Sequence, residues 1–227
     1  MPELGHDQGD GAPRPRVCVF APAPMLTVSA EVATDAESDS ELHVHAGGQG
    51  FWVCRLLQEL DVDAVMCASF GGETGAVLRT LIDASGVQVA AVSTAGSNGA
   101  YIHDRRSGER QVVATMAAGR LSRHEVDDLY DVTLIEALAS TVTVLTGPQE
   151  DVVPDDMYRR LALDARSNAR FVVADLSGGR LESALEGGVD LLKVSDEELE
   201  SDGRLAKAGS LTRPSMRSSP AALPTWL

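Results

Sequence analysis

The residues best equipped for chemistry recur in one setting, each just after an apolar run. His45-Ala46-Gly47-Gly48-Gln49-Gly50 puts three glycines into four positions directly ahead of Phe51-Trp52-Val53-Cys54-Arg55-Leu56-Leu57. Without β-carbons, the backbone of a tight turn can approach a ligand closely. A turn that feeds a helix start also offers unpaired N–H groups and the positive end of the helix dipole, which suits an anionic or hydroxyl-rich ligand. The same glycines would equally serve plain packing of a helix on a sheet. Asp175 closes the run FVVAD, where a carboxylate can hold a sugar hydroxyl or a metal-bound water, or simply cap the helix opening near Gly178. Lys193, one of two lysines in the chain, follows Leu191-Leu192 and is otherwise a surface charge. Glu198 can help hold a metal ion through water, or can do what acids usually do at a helix N-terminus, which is to complement the dipole.

Other candidates are weaker. His43 and His45 share one face of a strand, but as a metal pair they lack a third ligand at suitable spacing. Asp127-Asp128 and Asp155-Asp156 read as solvated helix faces. The three cysteines, Cys18, Cys54 and Cys67, sit in apolar patterns without the neighbours of a nucleophile, so buried free thiols in a reducing, cytoplasmic setting account for them.

The elements that must position these residues alternate. RVCVF (Arg16–Phe20) is a buried strand closed by Pro22 and Pro24, and LTVSAE and LHVH alternate like half-exposed strands. After the glycine turn, Val53, Leu56, Leu57 and Leu60 fall at i, i+3, i+4 and i+7, a helical core stripe. AVMCASF is a strand, Gly71-Gly72-Glu73-Thr74-Gly75 a second glycine-rich turn, Ala76–Ala84 a helix and Val87–Val92 a strand. Tyr101–Asp104 and Arg110–Ala114 flank a polar turn and form a hairpin flap. Ser122 with Glu125 is a capping box for a helix to about Leu138. TVTVLT, a helix opened by Pro154 to about Ser167, FVVA, a short helix over Arg180–Leu185 and Leu191-Leu192 complete the series. Strands alternating with helices indicate a parallel sheet covered by helices, whose ligands gather beyond the strand carboxyl ends.

The totals narrow the function classes. A chain of 227 residues with 44% apolar composition supports a substantial core. No apolar run approaches a membrane span. A net charge of −15 argues against nucleic acid and anionic membranes as partners. All 34 acidic residues lie at or before Asp202, whereas Gly203–Leu227 holds Arg204, Lys207, Arg213 and Arg217 and no acid. Residues 1–15 read as a disordered leader and 206–227 as a disordered tail unlike the body.

In order, these pieces resemble the ribokinase-like sugar kinases, the PfkB carbohydrate kinase family, nearest the 1-phosphofructokinase and tagatose-6-phosphate kinase branch. AGGQG with its helix is similar to GGKGxNVA, and ASFGGETG to GxxGGxTG. The strand ending TGP before VVPDDMY resembles GSLPxGVPxDxY, VVADLSGGRLESAL resembles VxxDxSGxxLxxxL, and LLKVSDEEL resembles LIKPNxxEL. The resemblance implies a three-layer α/β/α domain over residues 16–205, mostly parallel, with a small β-sheet lid from segments near 26–45 and 98–114. It implies ATP-dependent phosphoryl transfer, with Mg²⁺, to a hydroxyl of a hexose or hexose phosphate, and pairing of two copies through the lid. Gly47, Gly48, Gln49, Trp52 and Asp175 then stand at sugar-binding positions. Lys193, Ser195 and Glu198 stand at nucleotide- or phosphate-associated positions, Glu198 with an indirect part in metal binding.

The departures are as informative. The family's catalytic base lies in a Gly-Ala-Gly-Asp turn, and no such sequence occurs in these 227 residues. No catalytic residue is therefore assigned, the C-terminal nucleotide-binding part is expected to be missing, and the chain is expected to be inactive. Gln49 stands for the family's Lys, Trp52 for its sugar-binding Asn, Ser195 for the Asn of NxxE, and the first-strand Asp is replaced around Met25. An Arg expected between Ala95 and Asn98 for a sugar phosphate is absent. A non-catalytic sugar-binding or dimerisation module is the alternative. A dinucleotide-binding oxidoreductase fits poorly, because Ser69-Phe70-Gly71 stands where its acidic ribose ligand belongs.

Overall fold

The computed structural model describes residues 15–33, 40–148, 150–196 and 198. The expected leader and tail, apart from Pro15, lie outside the described residues. By compactness the chain divides into Met1–Lys193 and Val194–Leu227, and each is described by itself.

The first unit holds ten described strands in two sheets and five described helices. The larger sheet is wholly parallel. Its strands are β1 (Arg16–Phe20), β4 (Asp63–Gly71), β5 (Gln88–Thr94), β8 (Val142–Thr146), β9 (Phe171–Asp175) and β10 (Leu191–Lys193), in the order β10-β9-β8-β1-β4-β5. The chain winds outward from β1 in one direction through β4 and β5, and in the other through β8, β9 and β10. Between β1 and β8 the direction reverses, which makes their carboxyl ends the natural ligand crevice.

Right-handed crossovers then decide which face each helix covers. Helices α1 (Gln49–Glu59) and α2 (Gly72–Ala84) lie on one face, where Phe51, Cys54, Leu78 and Ile82 pack on Val17, Val19, Met66 and Ala68. Helices α3 (Arg123–Ala139), α4 (Asp156–Ser167) and α5 (Gly178–Gly187) lie on the other. There Leu129, Met157, Tyr158, Leu161 and Leu181 pack on Phe20, Leu145, Val172 and Ala174. The result is three layers, α/β/α. Because α4 and α5 share a face, no described helix covers the opposite side of β9 and β10, where Phe171 and Leu191 are both about half exposed.

The smaller sheet is β3 (Glu41–Gly47), β2 (Met25–Glu31), β6 (Ala100–Asp104) and β7 (Gln111–Met116), in that order, with β2 and β6 parallel and the outer pairs antiparallel. Its hinge is built on Asn98. The side-chain oxygen of Asn98 accepts from the Gly71 N–H at 2.9 Å, and its Nδ2 donates to the Pro24 and Ser69 carbonyls at 3.0 Å each.

Two expectations need correction. The second glycine-rich turn is mostly helix, since α2 already begins at Gly72. On α1 the buried side is Gly50, Phe51 and Cys54, flanked by Val53 and Leu57, whereas Leu56 and Leu60 are exposed. The physical reason is lateral. With Arg55 on one flank reaching the Ser85 carbonyl at the end of α2, the arc facing the sheet is the one that holds Gly50, Phe51 and Cys54, and at about 3.6 residues per turn Leu56 and Leu60 fall outside it.

Candidate functional site

At the sheet's carboxyl end, Thr146, Asp175 and Lys193 are register partners on β8, β9 and β10 and therefore stand at one level. Alternation along each strand puts all three on the same face as Val144, Val173 and Leu191. Asp175 is largely buried, and its Oδ1 lies 3.0 Å from the Lys193 Nζ, whose side chain stays exposed. Thr146 donates through Oγ1 to the Phe20 carbonyl at 2.8 Å and so ties β8 to β1 across the switch point.

The glycine turn arrives at this level. Gly48 is the residue before α1 and has φ 100°, a left-handed conformation that glycine adopts without strain. Its carbonyl accepts the Trp52 N–H at 3.3 Å. A β-carbon on Gly50 would collide with Ala21 and crowd the Thr146 hydroxyl, so only glycine lets the helix start come this close to β1 and β8. Gln49 opens the helix, and Trp52 is half exposed with its ring edge-on to Phe51. Among the expected sugar-binding residues, Gly47, Gly48 and Gln49 thus share one turn at the crevice, with Asp175 beyond the adjoining strand ends.

Ser195 and Glu198 belong to the second unit. Ser195 N and Oγ both donate to Glu198 Oε2, at 2.7 and 2.9 Å, and the Glu198 N–H donates back to Ser195 Oγ at 3.2 Å. This is a reciprocal helix-start capping box. Among the described residues, no three His, Cys, Asp or Glu side chains converge where a metal ion would sit. His43 and His45 do share a face, opposite Ser29 and Thr27.

Three residues at the site are not legible from sequence. Asn98 sets the hinge, as described. Glu125, besides capping α3 through the Ser122 N–H at 2.6 Å, accepts the Ala95 N–H at 2.6 Å, and these bonds hold its carboxyl below the usual range. Arg180 binds the backbone after β8. The capping-box pattern gives half of Glu125's role, but the partners of Asn98 lie 27, 29 and 74 residues away and the carbonyls bound by Arg180 30 and 32, and they leave no local signal.

Comparison with known proteins follows from this geometry. The family model described as pfkB family carbohydrate kinase matches residues 17–202. The chain belongs to the pfkB family of carbohydrate kinases. The ATP-dependent 6-phosphofructokinase isozyme 2 of Mycobacterium tuberculosis is 27% identical over 194 residues, covering 84% of this chain and 57% of that protein. Among solved structures, phosphofructokinase-2 from Escherichia coli in complex with fructose-6-phosphate superposes with a TM-score of 0.70 at 23% identity, covering 86% of this chain and 66% of that one. The possible 1-phosphofructokinase from Thermotoga maritima gives 0.67 at 17% identity, with 78% and 59% covered. These structural likenesses show the ribokinase-like fold. The chain spans a little over half the length of the curated relatives it matches.

Proposed function

We propose that this pfkB-family chain carries the acceptor half of a sugar kinase and binds a hexose or hexose phosphate. The observation that carries the reading is the meeting of the Gly47–Gly48 turn with the level strand ends of Thr146, Asp175 and Lys193 at the switch point. Backbone N–H groups at the start of α1 can donate to sugar hydroxyls, and the Asp175 carboxylate, 3.0 Å from the Lys193 ammonium, can accept from one. Gln49 and Trp52 line the same turn and set which sugar fits. Kinases of this family transfer phosphoryl groups from ATP, generally with Mg²⁺, and such transfer needs a base for the acceptor proton. The 227 residues contain no Gly-Ala-Gly-Asp turn to supply that base, so this polypeptide on its own binds sugar without turning over ATP. The Lys193 and Ser195–Glu198 positions are phosphate-associated in this reading. The site is that of a cytoplasmic protein acting on small molecules. Among the described residues no helix is long and apolar enough to cross a membrane.

The reading includes pairing of two copies through the small sheet. One face of that sheet carries a row in register, Val44, Val28, Ile102 and Ala114, flanked by exposed Leu42 and Met116. An apolar face of this kind favours an interface.

Calorimetric titration of fructose and fructose 6-phosphate into the chain tests the binding. Asp175→Asn should weaken affinity roughly tenfold through loss of a charged acceptor. Binding unaffected by that substitution would remove Asp175 from the site.

A further inference from the structure

One largely buried side chain next to the strand β8 exit directs both of its terminal nitrogens at the protein. Arg180, on the first turn of α5, has a side chain only 14% exposed. Its Nη1 donates to the Pro148 carbonyl, and its Nη2 donates to the Glu150 carbonyl at 2.7 Å and Asp151 Oδ1 at 3.2 Å. Its Nε faces Asp155 Oδ1 at 3.9 Å. Three elements meet on this guanidinium: the chain leaving β8, the start of α4 and the start of α5.

The local sequence explains how it gets there. Gly178 takes a left-handed φ of 60°. A β-carbon on Gly179 would collide with the Asp155 carboxylate, so the Gly178-Gly179 pair lets α5 start hard against α4. The Arg180 stem then lies over Gly147, where a β-carbon would sit 3.3 Å from Cδ. The Pro148 carbonyl lies outside regular secondary structure and needs a donor, and the Glu150 carbonyl, which already accepts the Val152 N–H at 2.9 Å, takes a second one. A planar fork meets both at once, which the single ammonium of lysine cannot.

We propose that Arg180 is the positioning residue of the acceptor site, holding the backbone of Gly147–Pro148 and Glu150–Val152 in the shape the sugar meets while touching no ligand itself. Nη1 and Nη2 both bind protein oxygens, so the guanidinium's bonds act on the chain. This rests on the sugar-binding reading above.

The test uses the full 227-residue chain with Arg180→Met, Arg180→Lys and a control, Arg120→Met. Arg120 donates to the Asp151 carbonyl from the outside and is largely exposed. Fructose 6-phosphate affinity is measured by calorimetry, hydrogen exchange of the Glu150–Val152 amides by mass spectrometry, and folding by circular dichroism. The expected result is faster exchange and roughly tenfold weaker binding in Arg180→Met. Partial recovery of both in Arg180→Lys is expected, with no change in Arg120→Met and native spectra throughout. Unchanged exchange in Arg180→Met overturns the proposal whether or not sugar binds. Faster exchange with unchanged affinity shows a merely structural clamp and overturns the positioning role. Wild-type chain that binds no sugar while Arg180→Met exchanges faster refutes the sugar-binding reading, and the positioning role falls with it.

Discussion

At the scale of single residues, the chemistry turns on which charges the fold lets stand alone. Asp175 is paired with Lys193 and Arg180 with backbone carbonyls, so neither is free to act without its partner. His103 on β6 is a different case. It is buried at 5% exposure, its Nδ1 finds no hydrogen bond, and burial, then Arg110 and Arg105, pushes its proton affinity below the ordinary value of 6.5. Its neutral form is therefore favoured in the fold, and the unfolded chain takes the proton first. Stability from this group is complete above about pH 6.5 and falls as pH drops through that value, until His103 protonates in the folded state too. Thermal melts from pH 7.5 to 5.5 should show this loss, and His103→Gln should flatten it. The thiols behave as their apolar surroundings suggest. Cys18 and Cys67 are fully buried with sulfurs 3.6 Å apart, and burial pushes Cys54 up to about 12. All three should resist alkylation at pH 8 until the chain unfolds. Cys burial was legible because each lay inside an apolar run. The His103 environment was not, because Arg110 arrives from the connection just ahead of the neighbouring strand β7.

At the scale of elements, the local signals were strong wherever a helix or strand carries its own punctuation. Ser122 caps α3 with Glu125 as the sequence pattern requires, and Ser122→Ala should cost about 1 kcal/mol in urea unfolding. The glycine turn before α1 was legible for the same reason, since Gly48 and Gly50 meet a conformational and a steric demand respectively. Gly50→Ala forces a β-carbon against Ala21 and should cost roughly 1–3 kcal/mol by the same measurement. What escaped the sequence was the start of α2, because three glycines in a row of five disguise a helix whose stability comes from packing. The core stripe of α1 was misplaced for a different reason. Periodicity finds an apolar arc on a helix but cannot say how much of that arc a neighbouring layer covers.

At the scale of the whole first unit, one half of a sheet face decides the behaviour in solution. Among the described residues, winding α4 and α5 onto the same side leaves Phe171 and Leu191 about half exposed, and Leu56 and Leu60 of α1 are exposed as well. An apolar sheet face with an exposed edge strand promotes association. Light scattering of the purified chain should show self-association, reduced by Phe171→Glu. Because that side chain is already half exposed, the substitution should change stability by no more than about 0.5 kcal/mol. The order of strands and helices was legible from sequence. The open half-face was not, since it follows from crossover handedness rather than from any local run. The central claim is that the acceptor side of a sugar kinase is present and works as a binder without phosphoryl transfer. Its most direct test is one sample of the 227-residue chain, titrated with fructose 6-phosphate by calorimetry and assayed with MgATP for phosphorylated product. The account predicts saturable sugar binding, weakened by Asp175→Asn, with no product above background. Enzyme-like turnover of ATP, or the absence of any sugar binding by folded protein, would contradict it.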